Sequence, residues 1–302
     1  MPQVLFWNVE RLGMGTDPRI KEMVSWVVDY AIENFSVSDI YLCEVTSDFE
    51  LLLPSLSHIP RGYQKEGFVQ KISSRTTSAQ LGYSHISTTE HPPADPAKIT
   101  LKSHSQVFGM LPGQFGHMVN PIRHLVRHGK NIYVLHANSG KGGGAPYQII
   151  RAWVQIYYDT FSSFPVLFGD LNCEPEVLEQ TRKNYIKILN AAFNSNSNIP
   201  RVNASLKQWS IAAAIEALED MIILADSPTF KVNPLYKGID STRKTYDYVV
   251  TVKNNNVYVE TFDYRRQFGY REEFTTKVFG GYLVGGTGCP SDHLPIYVSW
   301  GD

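Results

Sequence analysis

Six short motifs in this chain each close an apolar run with polar groups suited to phosphoryl chemistry. They are Phe6-Trp7-Asn8, Tyr41-Leu42-Cys43-Glu44-Val45, Leu135-His136-Ala137-Asn138, Gly169-Asp170-Leu171-Asn172, Tyr246-Asp247-Tyr248 and Ser291-Asp292-His293. Each has an ordinary reading when taken singly. Asn8 alone is a strand-end turn former, Glu44 an exposed strand-end charge, His136 a satisfied core histidine, and Asp170-Leu171-Asn172 an Asx turn. Together, in this order and at strand ends, they describe one site assembled from the whole chain, as metal-assisted phosphoryl chemistry requires. The expectation is an enzyme.

Glu44, Asp170 and Asp292 are three carboxylates that such an arrangement brings to one end of the sheets. Uncompensated, they would repel one another and raise each other's pKa. A hard divalent cation removes that conflict, and oxygen ligands without paired thiolates select magnesium, manganese or calcium over zinc. Bound magnesium is therefore expected, with manganese or calcium as alternatives. His293 adjoins Asp292 and has Asp247 as an orienting partner, since a carboxylate fixes an imidazole's tautomer and stabilises its charged form. His136 is placed to protonate a leaving oxygen or to hydrogen-bond a phosphate. Asn8, Asn138 and Asn172 are neutral donors for a ligand carboxylate or a phosphate oxygen. The glycine run 140–144, ending at a helix start, offers backbone N–H groups to an anion.

The elements that position these groups follow from apolar periodicity. Asp17-Pro18 is a helix start, and Ile20, Met23, Val24, Val27, Val28, Ala31, Ile32 and Phe35 keep helical spacing behind it. This helix joins strand 3–8 to strand 39–45, so the two strands are expected to be parallel. The unit recurs as strand 131–136, a helix near 146–160 and strand 164–169. Residues 64–127 read as antiparallel strands, with an exposed loop near 85–98. A helix near 176–189, a polar loop at Asn194-Ser195-Asn196-Ser197-Asn198 and an Ala-rich helix at 209–224 follow. Strands 245–252 and 256–263, separated by Lys253-Asn254-Asn255-Asn256, read as a hairpin. The last strand is 294–300, and no internal repeat of fixed period is present.

The 302 residues suit one large domain or two small ones, and the spread of the motifs favours a single domain, 1–302. A formal net charge of -1 excludes a histone-like binder whose affinity rests on bulk phosphate neutralisation. It permits a local basic rim. The candidates are Arg123, His124, Arg127, His128 and Lys130, then Arg265, Arg266 and Arg271 interleaved with Tyr264, Phe268 and Tyr270; each segment also fits a solvated face. No signal-peptide pattern or membrane-length apolar run is seen, and three widely spaced cysteines argue for a reducing compartment, so a cytoplasmic protein is expected. Cys43, Cys173 and Cys289 flank the motifs and read mainly as small core hydrophobes.

In motif order and identity the chain resembles the endonuclease/exonuclease/phosphatase superfamily, with its deoxyribonuclease I-like fold. The shared signals are the strand-one Asn, the Glu before Val, Gly-Asp-x-Asn, the Asp before an aromatic, and the terminal Ser-Asp-His. The resemblance implies an α/β four-layer sandwich of two packed mixed β-sheets flanked by helices. It also implies that Glu44 binds the metal, that Asn8 positions Glu44, that Asp292 is a further metal or water ligand, and that Asp170 orients or activates the attacking water. Asn172 would hold the scissile phosphate, His293 with Asp247 would act as general base or phosphate stabiliser, and His136 would be the second histidine. Asn138 and Arg123 are further candidates for substrate contact.

Residues 120–123, 136–138, 142–144 and 246–251 are similar to the catalytic subunit of cytolethal distending toxins. Asn120 stands where deoxyribonuclease I has a glutamate behind the second histidine, which weakens an acid-base role for His136. Lys244-Thr245-Tyr246-Asp247-Tyr248 lacks the Trp-Cys-Asp-Arg signature of inositol-phosphate phosphatases, and His136 stands where the abasic-site repair branch has asparagine. Both departures point to a DNA-cleaving phosphodiesterase. RNA, nucleotides, phospholipids and phosphomonoesters remain open as substrates, as does an inactive binding module.

Overall fold

A computed structural model describes residues 3–12, 18–46, 63–66, 81–88, 122–127, 130–138, 144–159, 164–195, 211–230, 244–264, 291 and 293–301. The chain is of the α/β class and carries two mixed sheets. It divides into two compact units. One is built from Met1–Pro96, Ala225–Asp247 and Asn256–Asp302, the other from Ala97–Leu224 and Tyr248–Asn255.

In the first unit, β1 (Gln3–Leu12) leads through α1 (Pro18–Phe35) to β2 (Asp39–Thr46). The predicted parallel pairing holds, from Val4 opposite Asp39 to Asn8 opposite Cys43. Met23, Val24, Val27, Val28 and Ala31 on α1 are all buried with Leu5, Trp7 and Val9 of β1. Each large apolar side chain removed from water in this way contributes roughly 1.5–3 kcal/mol. Ser36 ends the helix in the left-handed region (φ 51°), and the Ser38 N–H then donates to the Gln3 carbonyl at 2.8 Å, which starts β2 beside β1. The sheet is completed by β3 (Tyr63–Glu66), β4 (Leu81–Thr88), β10 (Val257–Thr261) and β11 (Ile296–Trp300), in the order β10-β11-β1-β2-β4-β3. Val4 and Phe6, on the face of β1 opposite Leu5 and Trp7, are also fully buried.

The second unit has the order β5-β6-β7-β9-β8. Its strands are β5 (Arg123–Arg127), β6 (Lys130–Val134), β7 (Pro165–Asp170), β8 (Met221–Leu224) and β9 (Asp247–Val252). β6 and β7 are parallel, as expected, and α2 (Gly144–Asp159) connects them. Every residue of β7 is buried. After it come α3 (Pro175–Ser195) and α4 (211–219). Ile149, Trp153, Leu178, Tyr185, Ala214 and Leu218 are buried in one core with Leu135 and Leu167.

Three expectations are corrected. The Ala-rich helix does not reach 224: it stops at 219, and Met221–Leu224 is strand β8, antiparallel to β9. The segments flanking Lys253-Asn254-Asn255-Asn256 are not a hairpin, because β9 belongs to one sheet and β10 pairs with β11 in the other. α3 also runs through Asn194 and Ser195, where the polar run in the sequence suggests a loop. No helix among the described residues is long and apolar enough to cross a membrane.

Candidate active site

In the first unit, Asn8 and Glu44 meet where the parallel ladder between β1 and β2 is interrupted. Asn8 opposes Cys43, and the next pair is Leu12 with Val45, so Glu44 is the single β2 residue in the irregular stretch. The β2–β4 register shifts at the same place, between Cys43 and Val45. Glu44 has φ 61°, a left-handed conformation that a non-glycine residue holds only at a cost of about 1–3 kcal/mol. A bulge re-aims the side chain it carries, which leaves Glu44 half-buried while its neighbours Cys43 and Val45 are buried. Asn8 was expected at the end of β1; the strand instead continues to Leu12, and Asn8 marks the last regular pair.

The same unit builds a buried imidazole–carboxylate pair. His293 Nδ1 lies 2.8 Å from Asp247 Oδ2. Both ends are anchored through the backbone. The Asp247 and Tyr246 N–H groups donate to Thr229 Oγ1 at 3.0 and 3.1 Å. The His293 N–H donates to Ser291 Oγ at 3.0 Å, that hydroxyl donates to the Asn8 carbonyl at 2.5 Å, and Trp7 Nε1 donates to the His293 carbonyl at 2.9 Å. Phe230 packs on the His293 ring (centroids 4.7 Å apart) and stacks on Tyr246 (4.7 Å), with Lys244 Nζ 5.6 Å above the Tyr246 ring.

In the second unit, the chain beyond β6 stays paired with β7. The Leu135 N–H donates to the Phe168 carbonyl at 3.0 Å, and the Ala137 N–H to the Asp170 carbonyl at 2.8 Å. Gly169 makes this close approach feasible: its φ is +147°, and a Cβ there would lie 1.9 Å from the Leu135 carbonyl oxygen. The Asp170 carboxylate accepts the Asn172 N–H at 3.1 Å and lies 3.3 Å from His136 Nε2. Asn172, held at φ 50°, donates from its amide to the Ala137 carbonyl at 2.8 Å. The Asx turn is therefore present, and it serves the arrangement of Asp170 with His136. Asn138 is exposed, and its N–H donates to the buried Gln148 side chain at 3.1 Å.

Cys173 closes the turn, with Sγ 3.2 Å from the buried Tyr248 hydroxyl. Burial first, and the charges of Asp170 and Glu174 next, push its thiol up to about 12 against the opposing hydrogen bond to Tyr248. Cys43 is fully buried and, like Cys173, unbridged. Both have the inert setting of core cysteines.

Asp292, Asn120, Cys289, most of the glycine run and the basic group Arg265, Arg266 and Arg271 lie outside the described residues. Arg123 is buried on β5, and His124 is half-buried, bonded to Asn131 at 2.7 Å and stacked on Tyr133. Neither stands on an exposed basic rim. Sequence reasoning missed Thr229, which carries no motif, and Phe230 and Gln148, whose roles depend on long-range packing.

No protein-family model matches the chain, and no curated protein sequence matches it. Solved structures do. Mannosyl-6-phosphatase from Bacteroides thetaiotaomicron VPI-5482 aligns over 100% of both chains, at 12% identity and a TM-score of 0.54. Truncated Caenorhabditis elegans TDP2 aligns over 100% of this chain and 98% of its own, at 12% identity and a TM-score of 0.52. An endonuclease/exonuclease/phosphatase family protein from Bacteroides thetaiotaomicron aligns over 98% of this chain and 96% of its own, at 13% identity and a TM-score of 0.52. This is a likeness of fold, and it agrees with the fold expected from the motifs.

Proposed function

We propose that this protein is a divalent-metal-dependent phosphoester hydrolase and, within that class, a DNA endonuclease. The observation that carries the reading is the buried His293–Asp247 pair, fixed at 2.8 Å and tied through Ser291 to the backbone of Asn8. An imidazole held by a carboxylate is a proton carrier of fixed tautomer, and its burial costs free energy that packing alone does not require. The second unit supplies a complementary set, in which Asp170 is oriented by its own turn beside His136.

In this reading each set contributes groups suited to phosphoryl transfer. Asp170 orients the attacking water, with one carboxylate oxygen already engaged by the Asn172 N–H. His293, backed by Asp247, accepts a proton or donates a hydrogen bond to a phosphate oxygen, and His136 serves the leaving oxygen. Glu44 and Asp292 are oxygen donors suited to magnesium, with Asn8 beside Glu44 at the bulge; manganese and calcium fit the same chemistry. A cation held there would neutralise charge on the phosphate as the bond to the leaving oxygen breaks. Support for DNA comes from the motif departures that set the chain apart from inositol-phosphate phosphatases. The stacked Phe230 and Tyr246 beside His293, with Lys244 at hand, also suit a nucleotide, because a ring accepts a base face and an ammonium a neighbouring phosphate.

The likeness to a mannosyl-6-phosphatase favours a second reading, hydrolysis of a phosphomonoester on a small molecule. One experiment separates them. Purified protein is incubated with supercoiled plasmid, with magnesium and with chelator, beside an Asp170→Ala variant. Nicking that needs metal and is lost in the variant supports the endonuclease. An intact plasmid together with phosphate released from sugar phosphates replaces it with the phosphatase.

A further inference from the structure

Among the described residues, strand β10 is an edge of the first sheet, and its hydrogen-bond ladder shows which backbone groups are engaged. The Asn256 carbonyl accepts the Gly301 N–H at 2.9 Å, and the Phe262 N–H donates to the Pro295 carbonyl at 2.8 Å. Antiparallel pairs alternate between bonded and unbonded. Tyr258 and Glu260, opposite Ser299 and Tyr297, therefore also turn their N–H and carbonyl groups toward β11, and Val257, Val259 and Thr261 turn theirs outward. Thr261 confirms the phase, because its N–H donates to Asp226 Oδ2 at 2.9 Å. No described residue takes the outward groups of Val257 and Val259.

Folded proteins protect such edges with lysine, proline, a bulge or a covering segment. Val257–Glu260 has no lysine or proline and pairs with β11 without a register shift; Asp226 and Ser227 cover only the Thr261 end. Tyr258 is 60% exposed, with Asn256 and Glu260 exposed on either side of it. Alternation places these three on the face that packs α1, where a cavity of about 280 Å³ opens beside Tyr258, and it places Val257 and Val259 on the other face.

This edge is complementary to itself in one register. A two-fold antiparallel pairing must join outward residues to outward residues. Centring it on Val259 or Glu260 requires Thr261, whose N–H is taken by Asp226, and centring it on Val257 requires Asn255, whose N–H is turned to the Val252 carbonyl at 3.3 Å. Centring it on Tyr258 joins Val257 to the copy's Val259 and Val259 to the copy's Val257, both open. Valine then meets valine on one face. On the other, Tyr258 meets the copy's Tyr258 in the closely spaced unbonded position, with the cavity leaving room for the second ring, and the Asn256 amide meets the copy's Glu260 carboxylate as donor to acceptor. No like charges are opposed.

We infer that two copies of this chain pair through β10, antiparallel and two-fold about Tyr258, so that the first sheet continues across the dimer. The strand is short, so the pairing buries less than a standard interface and the dimer exchanges with monomer.

Sedimentation velocity of the full chain, from about 1 μM to about 1 mM, should show the average mass rising with concentration toward that of a dimer. Val259→Pro removes an outward N–H that the ladder with β11 does not use, at the kind of edge position where proline is tolerated. It should weaken association at least about tenfold while the melting temperature stays close to wild type. Tyr258→Glu, at an exposed position, sets carboxylate against carboxylate and should weaken association likewise. Tyr258→Cys should form a disulfide-linked dimer on mild oxidation, because unbonded antiparallel pairs hold their Cβ atoms within reach of a disulfide. Glu260→Cys should not link to itself but should link to Asn256→Cys when the two are mixed. Wild-type protein that stays monomeric throughout overturns the proposal and leaves the edge to a different extended chain. So does association that both Val259→Pro and Tyr258→Glu leave unchanged, or self-linking of Glu260→Cys as readily as Tyr258→Cys.

Discussion

Thr229→Val isolates the support of the His293–Asp247 pair without touching either residue. Thr229 is fully buried, and its hydroxyl accepts two backbone N–H groups, from Tyr246 at 3.1 Å and Asp247 at 3.0 Å. Valine keeps the shape and removes the acceptor. A buried donor left unsatisfied costs about 1–3 kcal/mol, and the part-buried Tyr246 N–H, which water can reach, costs less, so the loss should total about 2–4 kcal/mol. The strand start at Asp247 then shifts, and its carboxylate moves relative to His293 Nδ1. A displacement approaching 1 Å in a catalytic pair lowers turnover by about 10²-fold. Urea denaturation reads the first effect and plasmid nicking under saturating substrate reads the second, with kcat falling and KM little changed. Thr229→Ser keeps the hydroxyl and should recover most of the rate. A Thr229→Val protein with wild-type denaturation midpoint and wild-type kcat would refute the positioning role.

Three further outcomes are expected. Gly169→Ala places a Cβ 1.9 Å from the Leu135 carbonyl oxygen at a φ of +147°; backbone strain plus a clash that neither strand can relieve should cost about 3 kcal/mol or more, read as a lowered melting temperature or insoluble protein. Asp170→Ala and His293→Ala should each lower plasmid cleavage by about 10³-fold while circular dichroism keeps the wild-type spectrum; near-normal cleavage by either would sink the assignment. Stability should fall in alkali. Burial pushes Cys173 and Tyr158 each up to about 12 and raises Tyr185 and Tyr248 as well, whereas the unfolded chain ionises thiols near about 8.5 and phenols near about 10. The folded state then binds more protons than the unfolded one, so this stability is full below about pH 8.5 and lost as pH rises toward 12. Urea midpoints from pH 8 to 11 should decline, less steeply in Cys173→Ser; a flat profile counts against the burial argument.

Local pattern revealed elements whose signal is local. The apolar stripe of α1 and the strand–helix–strand units ending in Glu44 and Asp170 were legible because periodicity and crossover handedness constrain them together. The end of α4 was not. Ile211 to Leu218 keeps helical spacing, and Met221-Ile222-Ile223-Leu224 continues the apolar run, which suits a buried helix and a short strand equally. The decision falls at Asp220, whose N–H closes the last helical bond to Glu216 at 2.9 Å and whose carboxylate is held by the Tyr157 hydroxyl at 2.9 Å. The false hairpin has the same origin. Asn254, at φ 63°, does make a turn, but a turn specifies only that the chain reverses. Which partners the next strand takes is decided by Val257–Thr261 pairing with Ile296–Trp300, some forty residues away.

Site residues separate along the same line. The types and order of Glu44, Asp170, Asp247 and His293 mark them as chemical groups, since nothing in an apolar core requires them. Their geometry is specified by residues that carry no chemical signature. Thr229 holds Asp247, Ser291 holds His293, Gly169 admits the Leu135 backbone, and the register shift between Cys43 and Val45 aims Glu44. If the positioning layer is as important as the motifs, Thr229→Val and Gly169→Ala should impair the protein although neither residue offers a group to a phosphate. Substitution of the exposed Lys244 by Ala should then leave stability unchanged and weaken only substrate affinity. A Lys244→Ala protein that loses stability instead would show that the aromatic–lysine stack is part of the scaffold.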